Sequence, residues 1–325
     1  MHPPRIVIAG TGFPAARAHL AEALPGARVE AVDPATLRAA GREAEVLIPT
    51  MARVDGALME GVRGLRLVQQ WGAGLEGVDI PAATARGIPV ANVPTGGSGN
   101  AESVAEWCVL AALALGRRLR ELDEGIRAGR TWGAPMGRAL LGRTAGILGL
   151  GGIGRALAPR LKPFGMRVVA ATRRPDPALA GRLGLDWVGG LDELPALLRQ
   201  SELLFLCLPV TEETRRILDA RALALLPQDA CVVNPARGGL VDEEALLAAL
   251  DAGRLLGAGL DVFAQEPLPP ASPLLAHRAV LATPHVAGAT DVSYRGIARG
   301  VAENVGRLLR GEPLLSCANA AALRR

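Results

Sequence analysis

The stretch "GILGLGGIGRALAPRLKPFG", Gly146 to Gly165, decides how this chain folds. An apolar run, a turn holding Gly149, Gly151 and Gly154, and a helical pattern follow one another. This is G-x-G-x-x-G between a strand and a helix. The first glycine permits a tight turn, the second lets a pyrophosphate approach the backbone, and the third lets helix and strand pack closely. The helix start, with Gly152 and Ile153, offers unpaired N–H groups and a positive dipole end to phosphates. A glycine turn can also exist without a ligand, but the strand–turn–helix setting favours dinucleotide binding.

Outward from that loop, short apolar runs alternate with helical patterns. Before it, strands are expected over Arg5–Gly10, Arg28–Val32, Val46–Pro49, Leu65–Gln70 and Ile88–Val93. The loop's own strand is expected over Thr144–Gly151. After it they are expected over Arg167–Thr172, Leu203–Pro209, Cys231–Pro235, Gly259–Phe263 and Val280–His285. Helices fit Glu213–Leu225 and Glu243–Asp251, with one long helix over Asn100–Ala128 and a last one over Thr290–Arg310. Uncharged strands alternating with helices indicate an α/β protein with parallel sheets covered on both faces. Residues 1–143 carry strands of their own, so two doubly wound domains are expected. The long helix crosses between them, and the last helix returns to the first domain.

The 325 residues suit two domains of ordinary globular composition. Net charge is +4 and the pI about 9.3. The arginines alternate with Asp and Glu and form no basic block, so nucleic acid is not an expected partner. Cys108, Cys207, Cys231 and Cys317 make no CxxC, and three lie in apolar runs. They read as buried free thiols rather than disulfides, and no metal site is expected. The N-terminal apolar run is too short for a signal peptide. No uncharged apolar stretch reaches the roughly 18 residues of a membrane span. The protein is expected in the cytoplasm.

Three further stretches carry chemistry. In "VVNPARGGLVDEEAL", Arg237 follows a buried-type strand and could grip a carboxylate through two charge-assisted bonds. Pairing with Asp242 or Glu243 is the equal alternative. "GLDVFAQEPLPP" holds Asp261 and Glu266, and "ATPHVAGAT" holds His285 at a strand end. A histidine beside a carboxylate can keep a proton near neutrality. Donating it contributes typically about 10²–10⁴-fold to a reaction. Singly, each residue reads as structural. Together, on successive strand ends beside a glycine fingerprint, they read as functional.

These motifs, with "GAGLEGVDIPAATARGIPVANVP" (Gly72–Pro94), "NAESVAEW" (Asn100–Trp107) and "LPVTEETRRIL" (Leu208–Leu218), resemble the D-isomer-specific 2-hydroxyacid dehydrogenase family over almost the whole chain. The resemblance implies a flavodoxin-like substrate domain over 1–98 and 286–325, with a Rossmann domain over 99–285 inserted in it. It implies a homodimer, with the long helix at the domain junction and dimer contact. It places Arg237, Glu266 and His285 in the active site. His285 would exchange a proton with the substrate oxygen, Glu266 would orient the imidazole, and Arg237 would hold the carboxylate of a 2-oxo or 2-hydroxy acid. The Ala73–Gly74 backbone would take the carboxylate's other side. Asp261 would meet the nicotinamide amide. Leu208, Pro209, Thr214, Pro235, Ala236 and Gly288 would line the cofactor. Closure of the two domains would exclude water.

Two departures from the family pattern bear on specificity. NAD-using members carry Asp where Thr172 stands, followed here by Arg173 and Arg174. An acid there holds ribose hydroxyls and repels a 2′-phosphate, so NADP(H) is the expected cofactor, with NAD(H) as the alternative. Phosphoglycerate-oxidising relatives carry a basic pair where Pro49 and Thr50 stand, although Arg53 is near. Trp71 would crowd the substrate, and no regulatory domain is expected after Arg325. The chain therefore resembles glyoxylate/hydroxypyruvate reductases. An NAD-dependent phosphoglycerate dehydrogenase and a non-enzymatic dinucleotide-sensing scaffold are the alternatives.

Overall fold

A computed structural model describes residues 3–10, 14–40, 43–130 and 135–323. The chain divides into two units, one of Met1–Asn100 with Ala289–Arg325 and one of Ala101–Gly288.

The first unit contains β1 (Arg5–Ala9), β2 (Arg28–Val32), β3 (Val46–Ile48), β4 (Leu67–Gln69) and β5 (Val90–Ala91), in the order β2-β1-β3-β4-β5. Every pairing is parallel. Alternate residues serve opposite faces, as the pleat requires. Val7, Leu47, Val68 and Val90 join one core. Ile6, Ile8, Val46, Ile48 and Leu67 join another, closed by Ile297, Val301 and Val305 of the helix Asp291–Arg310. That helix starts on its Thr290 cap, whose Oγ1 accepts the Ser293 N–H.

The second unit contains β6 (Thr144–Leu148), β7 (Arg167–Ala171), β8 (Trp187–Gly189), β9 (Leu203–Leu206), β10 (Ala230–Asn234), β11 (Leu255–Leu260) and β12 (Val280–Ala282). The order is β12-β11-β10-β9-β6-β7-β8, again all parallel. After β6 the chain lays down β7 and β8 on one side, then crosses to β9 on the other. The switch point between β6 and β9 is where an open parallel sheet binds its ligand. All strand C-termini share that edge.

Four expectations need correction. The long helix is two, Asn100–Gly116 and Leu119–Arg127, because the Gly116 carbonyl accepts the Arg138 N–H at 2.7 Å and Arg118 turns left-handed at φ 52°. The expected strand Gly259–Phe263 lies earlier, over Leu255–Leu260. Its glycines serve close packing: a Cβ on Gly257 would lie 2.7 Å from the Ala279 carbonyl oxygen, and one on Gly259 would lie 3.1 Å from the Ala111 Cβ. Within Glu213–Leu225 only Ala220–Ala224 is helical, since Leu218 pairs with Val241 instead. The strand Trp187–Gly189, beside β7, has no counterpart in the sequence reading. The second unit runs to Gly288, and the Asp261 carboxylate binds the Val286 and Ala287 N–H groups within it.

Cys108, Cys207 and Cys231 are buried and free. Burial pushes the Cys207 and Cys231 thiols up to about 12. Among the described residues no His, Cys, Asp and Glu cluster could hold a metal, and no helix is long and apolar enough to cross a membrane.

Candidate active site

The glycine loop closes β6. Gly149 turns at φ +102°, where a Cβ would lie 2.6 Å from the Cys207 carbonyl oxygen. A Cβ on Gly154 would lie 2.1 Å from the Gly149 carbonyl oxygen. Gly151 differs, because its Cβ would meet only the Cys207 oxygen at 3.9 Å. The first and third glycines thus serve packing, while the second leaves room in front of the loop. Gly151 caps the helix Gly152–Leu161 without a side-chain bond, so the N–H groups of its first turn, Gly152 and Ile153, point outward. This arrangement fits a pyrophosphate.

Thr172 follows β7 and its N–H donates to the Gly189 carbonyl at 3.0 Å. Arg173 and Arg174 are exposed, and neither has a hydrogen-bond or ion-pair partner among the described residues. Asp176, the nearest acid, accepts from the Ala178 and Leu179 N–H groups as a helix cap. Leu208 and Pro209 follow β9. The Thr214 hydroxyl donates to the Pro209 carbonyl at 2.8 Å and accepts the Thr211 N–H at 2.7 Å. Thr214 therefore shapes this loop through its hydroxyl.

Past β10, Pro235 and Ala236 are buried and Arg237 is half-buried. The Arg237 Nη1 donates to the Ala236 carbonyl at 2.7 Å. Asn234, absent from the sequence-based candidates, braces this turn. Its Nδ2 donates to the Arg237 carbonyl at 2.9 Å and its Oδ1 accepts the Ala236 N–H at 3.1 Å. A lone amide closing the apolar strand "ACVVN" was the available signal. The acids considered as partners of Arg237 have other bonds. Asp242 lies 3.6 Å from Arg216 and caps a helix at Ala245, and Glu243 accepts the Ala264 N–H at 2.6 Å.

Asp261 and Thr283 hold the histidine turn. The buried Asp261 carboxylate accepts from the Thr283 hydroxyl at 2.6 Å, and from the Val286 and Ala287 N–H groups at 2.8 Å each. The His285 N–H donates to the Asp261 carbonyl at 2.7 Å. These bonds keep His285 at φ +56°, a conformation that side chains other than glycine seldom adopt. Gly288 ends the turn and the unit. The His285 Nδ1 lies 2.8 Å from Glu266 Oε2, and Glu266 Oε1 accepts the Phe263 N–H at 2.9 Å.

Burial pushes the Glu266 carboxyl up. The hydrogen bond and charge of His285, the Phe263 N–H and the Arg237 charge outweigh it, leaving the group below its ordinary value of 4.5. A carboxyl depressed by folding contributes stability that is complete above its unfolded value and lost as pH falls through the folded one. The stability difference between wild type and Glu266→Gln is therefore expected to shrink between about pH 6 and about pH 3. Urea unfolding across that range checks it, and a constant difference would contradict it.

The second unit thus brings Arg237, Glu266 and His285 to the sheet edge that carries the glycine loop. Trp71, Ala73 and Gly74 form a loop after β4 in the first unit. There Gln70 Oε1 accepts the Trp71 N–H at 2.8 Å, and Asn92 Nδ2 donates to the Ala73 carbonyl at 2.6 Å.

A doubly wound parallel sheet with a glycine loop at its switch point is that of a dinucleotide-binding α/β protein. Residues 109–287 match the family model for the D-isomer specific 2-hydroxyacid dehydrogenase, NAD binding domain. The chain belongs to the D-isomer specific 2-hydroxyacid dehydrogenase family. It is 38% identical over 266 residues to a glyoxylate reductase of Korarchaeum cryptofilum, covering 80% of this chain and 77% of that one. It is 38% identical over 312 residues to a D-3-phosphoglycerate dehydrogenase of Mycobacterium bovis, covering 95% of this chain. The chain spans 57% of that relative's length. A solved NADPH-dependent glyoxylate/hydroxypyruvate reductase of Sinorhizobium meliloti, in complex with NADP and malonate, superposes with a TM-score of 0.81 at 31% identity. That match covers 97% of this chain and 96% of the other.

Proposed function

We propose that this protein reduces a small 2-oxo acid to its D-2-hydroxy acid with NADPH, as a glyoxylate/hydroxypyruvate reductase. The observation that carries this reading is the 2.8 Å His285–Glu266 pair on the sheet edge shared by Arg237 and the glycine loop. When bound, the nicotinamide cofactor supplies the hydride for the carbonyl carbon. Glu266, with its carboxyl held below the ordinary range, is ionised at neutral pH and can only accept. The His285 Nδ1 must then be the donor to it, which leaves Nε2 to pass a proton to the substrate's carbonyl oxygen. Glu266 also stabilises the imidazolium until that proton leaves. Arg237 binds the carboxylate through charge-assisted bonds and so orients the carbonyl. Family resemblance assigns Ala73 and Gly74 to the carboxylate, and Trp71 to the rest of the substrate.

Thr172 and the two exposed arginines support a 2′-phosphate ligand. A hydrogen bond to a charged group is worth about 1.5–3 kcal/mol. Replacing Arg173 and Arg174 together by alanine is therefore expected to lower kcat/KM with NADPH by about 10–100-fold, with NADH little affected. Steady-state kinetics with both cofactors check this.

The same assay across glyoxylate, hydroxypyruvate, pyruvate and phosphohydroxypyruvate tests the substrate. Faster turnover of the phosphorylated acid, or a higher kcat/KM with NADH, would overturn the reading in favour of a phosphoglycerate dehydrogenase. That alternative draws on the mycobacterial similarity and on Arg53, which has no hydrogen-bond or ion-pair partner among the described residues. Exposed Leu119, Leu122 and Ile126 along the helix Leu119–Arg127 support a self-associating face, hence a homodimer.

A further inference from the structure

We propose that Asn234 is a positioning residue that sets where Arg237 stands relative to His285. The inference rests on the 2-oxo acid reading above and deepens it, by naming what fixes the spacing between the carboxylate grip and the proton donor.

Asn234 closes β10 and is 1% exposed. Its backbone and its side chain serve different turns. The backbone carbonyl accepts the Asp261 N–H at 3.1 Å, and the Asp261 carbonyl accepts the His285 N–H at 2.7 Å. Two hydrogen bonds thus lead from β10 to the histidine turn. The side chain folds forward onto the arginine turn, where Oδ1 accepts the Ala236 N–H at 3.1 Å and Nδ2 donates to the Arg237 carbonyl at 2.9 Å. An amide carries its donor and its acceptor on separate atoms, and both are used here. One residue therefore ties the two turns to a common strand end.

The two ties differ in what they need. Any residue supplies the carbonyl that holds Asp261, so the histidine turn does not depend on the amide. The arginine turn does. Pro235 has no N–H to contribute. Ala236 is buried, and a buried N–H without a partner is costly. Gly238 is pinned against the Phe263 backbone, where a Cβ would overlap the carbonyl carbon at 1.8 Å. Pro235, Ala236 and Arg237 are the span between that pin and β10, and the Asn234 amide closes it. Without the amide the span must rearrange to give the Ala236 N–H a new acceptor, and Arg237 moves while His285 stays. A substrate gripped by Arg237 would then present its carbonyl oxygen away from the imidazole. A displacement of about 1 Å can cost about 10²-fold in rate.

Asn234→Ala is expected to lower kcat/KM for hydroxypyruvate by about 10–100-fold. Most of the loss should fall in KM, because the carboxylate grip moves and the His285–Glu266 pair does not. Asn234→Ser is expected to recover part of it, since a serine hydroxyl can accept the Ala236 N–H in the same kind of turn, more weakly. The serine variant also carries the test if the alanine variant does not fold. A merely structural asparagine predicts a lower Tm with KM unchanged in the folded enzyme, and that result would overturn the inference. Crystal structures of the substrate-free variants read the placement without turnover. Residues 235–237 are expected to shift against an unmoved His285–Glu266 pair. An unshifted turn also overturns the inference. A shifted turn in a protein whose wild type reduces no 2-oxo acid upholds the placement and sinks the catalytic reading alone.

Discussion

Replacing His285 with alanine is expected to lower kcat for 2-oxo acid reduction by about 10²–10⁴-fold and leave NADPH binding largely intact. Asp261 and Thr283 hold the turn through the backbone and through their own side chains, so the loop can persist when the imidazole is gone. What is lost is the proposed proton carrier, together with the partner of Glu266. Alanine lacks the tolerance of φ +56° that histidine and asparagine share, so some strain is added with the loss of the imidazole. His285→Asn, which tolerates that conformation better, separates strain from chemistry. Both variants should lose turnover, and the asparagine variant should melt closer to wild type. Stopped-flow and steady-state assays measure the first, thermal unfolding the second. A His285→Ala enzyme retaining most of its kcat would remove His285 from the proton's path.

The second large effect is expected at Gly238. A Cβ there would lie 1.8 Å from the Phe263 carbonyl carbon, 2.1 Å from its oxygen and 2.3 Å from the Ala264 nitrogen. All three are backbone atoms, so no side-chain rotation relieves the overlap. Gly238→Ala must push apart the segment bearing Arg237 and the segment leading to Glu266. A destabilisation of about 3 kcal/mol is expected from overpacking of this kind. The loss of kcat should exceed what unfolding explains, because the Phe263 N–H that orients Glu266 moves with its chain. Gly239→Ala is the control, since its Cβ would first meet a Val210 methyl at 3.4 Å, an ordinary contact. Urea unfolding and kinetics of both variants check this. Equal stability of the two would show that the close approach at Gly238 does not constrain the site.

Much of this was legible before any coordinates. Gly149 and Gly154 mark the strand–turn–helix because a Cβ at either would overlap backbone, and Gly151 leaves the front of the loop open. Arg237, Glu266 and His285 stand on or just beyond successive strand ends, and parallel topology carries such ends to one edge. Other features were not legible. The full strand Leu255–Leu260 was one, because Gly257 and Gly259 make room for Leu115 and Ala111 of the helix Asn100–Gly116, which lies far away along the chain. The break at Arg118 follows from a bond between Gly116 and Arg138, which a local helical pattern cannot encode.

The sequence by itself determined the dinucleotide fold and the family, because both rest on local patterns: apolar runs, glycine spacing and the order of motifs. Only the tertiary structure decided what the polar side chains do with their bonds. Asp261, expected from the family pattern at the nicotinamide, is seen gripping the turn that carries His285. Asn234 and Thr283 hold the turns that carry Arg237 and His285, and the Trp71 indole N–H has no acceptor among the described residues. The physical reason is that a hydrogen bond is set by distance and direction between segments remote in sequence, and chain order does not record either one.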